Sequence, residues 1–287
     1  MKVVGFTFVR NGIIFDYPFL ESIRSLLPLC DELIVAVGQS DDDTLEQIQS
    51  LQSSKVQIIK TVWDDSLRKS GTILSQQTNL ALDQAVGDWA IYLQADEVLH
   101  EKDYPAIKNA MTLYQNINEV EGLLFHYKHF YGTYQYTGDS RRWYRREIRI
   151  VRPSSKVRSW GDAQGFRIDG RKIRVKLIDA TIYHYGWVKS PDIQQLKQKY
   201  FNKLWHSDEW VDQHIGRIVE YDYYQGGKLK LFEGTHPSVM SERVDNQNWH
   251  FRYEQNKVHL LLKEKLLNLI ETRYGWRIGE YKNYVII

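Results

Sequence analysis

The chain has a single cysteine, Cys30, among 287 residues. No intrachain disulfide can form, so burial and hydrogen bonding must hold the fold, and this usage fits a reducing compartment. Long apolar runs are also missing: no segment approaches the ~20 residues that a membrane-spanning helix needs. Met1 to Phe8 runs directly into a strand-like pattern without the basic region and apolar stretch of a secretory leader. Charge of one sign is scarce as well. A net charge of +2 is too small to argue for nucleic acid as a partner. Repeats and low-complexity linkers are absent. These absences lead us to expect a soluble, cytoplasmic protein.

What is present is enough to build a core. Hydrophobic residues make up 43% and charged residues 26%, which favours a packed globule over disorder. The length suits one large domain, or a domain with a sizeable extension. Aromatic residues reach 13%, with Tyr and Trp prominent. Such rings line sugar sites, because a pyranose has an apolar face that stacks on them, and they fill cores and surfaces equally well.

The first hundred residues alternate strand and helix signals. Val3 to Val9, Glu32 to Val37, Val56 to Lys60 and Trp89 to Leu93 are short apolar runs suited to buried strands. Between them, Tyr17, Phe19, Leu20, Ile23, Leu26 and Leu27 recur at helical spacing, Leu45, Ile48 and Leu51 follow suit, and Thr72 to Val86 predicts a third helix. This alternation predicts a mostly parallel sheet flanked by helices. Ligands of such sheets bind beyond the carboxyl ends of the strands, where Gln39 to Asp43 and Gln94 to Glu97 fall. Past residue 120 the pattern changes. Gly122 to Phe130 and Leu177 to Tyr183 read as strands, and Arg141 to Lys176 is strongly basic. Asp192 to Trp205 and Lys257 to Thr272 read as helices, and a boundary is expected at Ser190-Pro191.

Asp96-Glu97 is the strongest chemical signal. A strand that ends in carboxylates delivers hard oxygen ligands to a sheet edge, suited to Mg²⁺ or Mn²⁺, although an Asp there also caps helices. Gly87-Asp88-Trp89-Ala90-Ile91-Tyr92-Leu93-Gln94-Ala95-Asp96-Glu97 resembles the Gly-Asp-Trp…Leu-Asp-Ala-Asp-Glu segment of family 2 glycosyltransferases. Upstream, Arg10-Asn11 follows the first strand, Ser40-Asp41-Asp42-Asp43-Thr44 resembles that family's Asp-Gly-Ser-x-Asp-x-Thr turn, and Asn79 precedes Ala81 and Ala85 in the family's order. The match covers residues 1 to 100 and extends more loosely to 190.

The resemblance implies an α/β fold of the GT-A (Rossmann-like) type over residues 1–190, with a mainly helical C-terminal extension over 191–287. It implies transfer of a sugar from a nucleotide-sugar donor to a glycan or lipid-linked hydroxyl, inverting and metal-dependent, in polysaccharide biosynthesis. Asp96 and His184 would ligate Mn²⁺ or Mg²⁺, the latter from Ile182-Tyr183-His184-Tyr185-Gly186-Trp187. Phe6, Arg10, Gln39, Asp42, Asn79 and Gln94 would line the donor site. Gln94 occupies the family's first acid position, and Val37 stands where the family usually has the Asp that reads the base.

An inverting transfer needs a base on the face opposite the leaving group. Asp162, in Ser159-Trp160-Gly161-Asp162-Ala163-Gln164-Gly165, is the candidate, with Glu147 and Asp139 in reserve; equally, an Asp beside Gly forms turns. The arginines of the basic stretch suit a solvated strand face or donor phosphates. The leucine-rich last helix suits the core, with peripheral contact at the inner face of the membrane as the weaker alternative. The competing functional reading is a non-catalytic nucleotide-sugar or glycan-binding module. An RNA-binding protein ranks below it.

Overall fold

The computed structural model describes residues 1–64, 67, 71–203, 208–214, 221–254 and 262–287. The chain opens with four strands, β1 (Val3–Val9), β2 (Glu32–Gly38), β3 (Val56–Thr61) and β4 (Trp89–Tyr92). All four are parallel: β1 lies between β2 and β4, with Phe6 opposite Ile34 on one side and Tyr92 on the other, and β3 adds outside β2. Parallel neighbours require crossovers. Helices α1 (Phe19–Leu26), α2 (Thr44–Gln49) and α3 (Thr72–Leu82) supply them, and α4 (Tyr104–Leu113) follows β4.

These strands are apolar throughout because both faces are covered. Val3, Leu33, Val35, Trp89 and Ile91 bury with Ile23 and Leu26 of α1 and with Ile107 and Met111 of α4. The alternate residues Val4, Phe6, Ile34, Ala36, Ala90 and Tyr92 bury with Ala81 and Leu82 of α3. Each large side chain so buried contributes about 1.5–3 kcal/mol.

The second half extends the sheet. β5 (Glu97–Leu99), β6 (Gly122–Tyr131), β7 (Thr133–Gly138), β8 (Arg146–Val151), β9 (Val157–Trp160), β10 (Gly165–Ile168) and β11 (Arg171–Trp187) give the order β3-β2-β1-β4-β8-β6-β11-β10-β9. The α/β architecture is therefore as expected, with a parallel block followed by mixed pairing. β8 is antiparallel to β4 and β6, whereas β6 and β11 are parallel. The strand expected over Leu177 to Tyr183 is only the middle of β11, which spans 17 residues with register shifts after Leu177 and His184. Different segments of it bury different side chains, so a single period does not mark its ends.

Beyond residue 190 come α5 (Pro191–Lys203), α6 (Asp208–His214), β12 (Leu229–Leu231), α7 (Ser241–Asp245), α8 (Leu262–Tyr274) and β13 (Tyr284–Ile286). This segment is joined to the sheet: β12 pairs with β7, and β13 lies parallel to β11. Trp205 of the expected helix lies outside the described residues, as do Lys257, Val258, Leu260 and Leu261 at the start of the last one. In α8, Leu266 and Leu269 are exposed, contrary to the core expectation. Its Glu271 instead ties the helix to Arg141 through a 2.6 Å ion pair. Among the described residues, no helix is long and apolar enough to cross a membrane.

Candidate functional site

The carboxyl ends of β1, β4, β6 and β11 open into a cavity of ≈ 560 Å³, roofed by α5. That volume is in the range of pockets for drug-sized ligands. β1 brings Arg10 to its rim, the turn after β4 brings Gln94 and Asp96, β6 brings His129, and β11 brings His184 and Trp187. From α5 come Gln194, Lys197 and Phe201.

The turn after β4 is fixed from below. Glu97 and Arg149 are fully buried, and the guanidinium grips both carboxylate oxygens at 2.6 Å each. Arg149 also donates to Ile148 O and Gln164 O, and Glu97 accepts from the Gln94 amide and the Tyr127 hydroxyl. Of the two adjacent carboxylates, Glu97 is thus part of the scaffold and Asp96 alone faces the cavity.

Asp96 Oδ2 lies 3.5 Å from His184 Nε2 and 3.6 Å from Lys197 Nζ. Burial pushes this carboxyl's pKa up, but His184, Lys197 and Lys189 outweigh burial and hold it well below the usual range. Gly186 is required at this point: a Cβ there would stand 2.3 Å from Asp96 Oδ2. Behind His184, His129 Nε2 bonds Tyr144 O at 3.0 Å and its Nδ1 meets His184 Nδ1 at 3.2 Å. A carbonyl only accepts, so His129 carries its proton on Nε2, and burial keeps this ring neutral. His184 therefore donates from Nδ1, which directs its Nε2 towards Asp96.

Asp162 lines the cavity on a tight turn. Its neighbours Gly161 and Ala163 both take positive φ, 62° and 64°. For Ala163 this is a strained conformation, held by burial and by a bond from Gln94 Nε2 to its carbonyl.

Arg10, Gln94, Asp96, Asp162 and His184 all line this cavity. Four other candidates do not line the cavity. Phe6 is fully buried, stacked on Tyr92, because it belongs to the inward face of β1. Asp42 accepts the amides of Ile13 and Ile14 at 3.0 and 2.8 Å and so stabilises the loop after β1. Gln39 offers its carbonyl to Arg10 Nε at 2.9 Å. Asn79 bonds the backbone of Ser159 in both directions, so it fixes β9 against α3. The reserve bases lie elsewhere too: Glu147 is buried in β8, and Asp139 pairs with Lys228 at 2.6 Å.

The basic stretch divides in the same way. Arg149 holds Glu97, Arg145 holds Glu280 bidentately, Arg152 covers the Trp89 ring, and Arg142 lines the cavity. Sequence reasoning missed Lys197 and Gln194. Gln194 is 1% exposed, and among the described residues neither its Oε1 nor its Nε2 has a hydrogen-bond partner. Among the described residues the indole N–H groups of Trp63 and Trp143, whose residues also line the cavity, have no hydrogen-bond partner either. Buried polar groups left unpaired are costly.

The donor set does not fit a dedicated metal centre. Divalent cations are held by converging hard oxygens and imidazoles. Here one carboxylate and one imidazole converge, Gln94 replaces the second acid, and an ammonium flanks the remaining carboxylate. Among the described residues, no group of three or more His, Cys, Asp or Glu side chains gathers to hold a metal.

No protein-family model and no curated protein matches the chain. Among solved structures, S. aureus TarS 1-349 in complex with UDP-GlcNAc is similar over 46% of this chain and 36% of that one, at 20% identity and a TM-score of 0.35. TarS 1-349 in complex with UDP is similar over 76% and 71%, at 13% identity and a TM-score of 0.39. S. aureus TarS is similar over 74% and 42%, at 15% identity and a TM-score of 0.38. Similarity this distant carries neither a residue assignment nor an activity.

Proposed function

We propose that this chain is a glycosyltransferase that moves a sugar from a nucleotide-sugar donor to a hydroxyl acceptor with inversion at the anomeric carbon. The observation that supports this most is the cavity itself. At the carboxyl ends of the parallel strands it joins cationic groups, aromatic walls and two carboxylates, Asp96 beside His184 and Lys197, and Asp162 on its own turn. In this reading the acceptor oxygen attacks the anomeric carbon while Asp162 takes its proton. The bond from that carbon to the diphosphate oxygen breaks, and the diphosphate leaves with the electron pair. Cationic groups already in place stabilise that charge without reorganising, which is where electrostatic catalysis gains most. Trp143 and Trp187 give the sugar apolar surfaces.

In a second reading Asp96 and His184 Nε2 would hold a divalent cation together with the donor's diphosphate, and the cation would offset the charge on the leaving group. Both readings are enzymatic, and both separate from a non-catalytic binding module by product formation. Incubation with UDP-, GDP-, CMP- and dTDP-sugars and simple glycoside acceptors should release one nucleotide and give a product whose anomeric proton shows inversion by NMR. Donor binding without nucleotide release for any acceptor would favour the binding module. A product of retained configuration would remove Asp162 from the role of base.

A further inference from the structure

We infer that Lys197 is the built-in counter-cation for the donor's diphosphate, standing where the family resemblance would put a metal ion. The inference rests on the nucleotide-sugar reading above and specifies how that site meets negative charge.

The ammonium is held in place. The rings of Tyr17, Trp187 and Phe201 lie 5.0, 5.4 and 5.2 Å from Lys197 Nζ. Aromatic faces attract a cation, most strongly when it is out of water. Gly186 O accepts from Nζ at 2.8 Å, and Asp96 Oδ2 lies at 3.6 Å. An ammonium has three N–H donors. Gly186 O takes one and Asp96 Oδ2 draws a second, which leaves one for a ligand in the cavity that Lys197 lines. Asp96 does for Lys197 what it would do for a metal: it fixes a positive charge at the end of β4.

Two further features agree. Gln194, one helical turn before Lys197 on α5, also lines the cavity, and among the described residues its buried amide has no hydrogen-bond partner. Gln94, in the position of the absent acid, carries no charge to recruit a dication.

The test uses the full chain and measures melting temperature and calorimetric affinity for UDP, GDP, CDP, dTDP and inorganic pyrophosphate, each in EDTA and in excess Mn²⁺. The expected result is that one nucleotide binds in EDTA within a few-fold of its affinity in Mn²⁺. Lys197→Gln should weaken it about tenfold or more in both media, and Lys197→Arg should recover most of the loss. The melting temperature of each unliganded variant shows whether it is folded. If it is not, the wild-type comparison between EDTA and Mn²⁺ decides alone. Nucleotide binding that disappears in EDTA overturns the inference and leaves the glycosyltransferase reading standing. So does a folded Lys197→Gln that binds as tightly as wild type. No binding of any probe in either medium overturns both.

Discussion

Arg149 holds both oxygens of Glu97 at 2.6 Å, and neither side chain reaches solvent. Breaking a buried pair of this kind strands one charge, which costs about 3–5 kcal/mol. Glu97→Gln should lose stability of that order in urea unfolding. The paired replacement with Arg149→Met should lose less than the two single changes added together. Unfolding of Glu97→Gln within about 1 kcal/mol of wild type would mean that the pair does not hold the turn carrying Asp96.

Glu147 gives the fold a pH dependence. Burial pushes its carboxyl up from 4.5 to about 7, with the negative charge of Glu97 adding and the Arg149 guanidinium opposing. Below 4.5 the group is protonated in folded and unfolded chains alike and contributes nothing. Between 4.5 and about 7 the folded state keeps a proton that the unfolded state releases, so stability falls as pH rises. The full loss, reached above that window, is on the order of 3 kcal/mol. Glu147→Gln should flatten this slope, making the variant more stable than wild type at pH 8 and indistinguishable near pH 4. A parallel pH profile for both proteins would remove Glu147 as the cause.

Asp162 should matter to turnover far more than to binding. Asp162→Asn keeps the side chain's size but cannot take a proton. A positioned base contributes about 10²- to 10⁴-fold, so kcat should fall by that factor while the Kd for donor stays within a few-fold. Full turnover in this variant would place the base elsewhere.

Cys30 is 3% exposed, and burial pushes its thiol up to about 12. The thiolate is the reactive form. Native protein should therefore fail to react with a thiol reagent at neutral pH, and the reagent should be consumed only as the chain unfolds. Rapid native labelling would show that the layer between α1 and the sheet opens locally.

The parallel half of the fold was legible because its strands are buried on both faces. Runs such as Leu33 to Val37 have no polar residue to confuse their assignment, and the helices between them show one apolar face. The direction of individual side chains was not legible in this way. Nothing in Asp96-Glu97 says which carboxylate turns inward; that follows from Arg149, a partner supplied by β8. Phe6 and Asp42 fall in the right stretches for a donor site, yet one belongs to the core and the other to a loop. Lys197 was hidden by the usual pattern of amphipathic helices. A reader of α5 would bury Leu196 and expose the lysine, but Leu196 is 45% exposed and Lys197 is 7% exposed. The available signal was its company, because Gln194, Lys197 and Phe201 recur at helical spacing on one face.

The pairing of β6 has a consequence for how the chain is made. β6 lies between β8 and β11, and its Leu123, Leu124, Phe125 and Phe130 are fully buried. On a ribosome, β8 emerges soon after it, but β11 follows only after β9 and β10. Until residue 171 and beyond have emerged, one edge of a strongly apolar strand has its backbone groups unpaired, an invitation to pair with another nascent chain. The interval between those two strands is the period in which this protein most needs a chaperone, and a truncation inside it should yield aggregates rather than a smaller soluble domain.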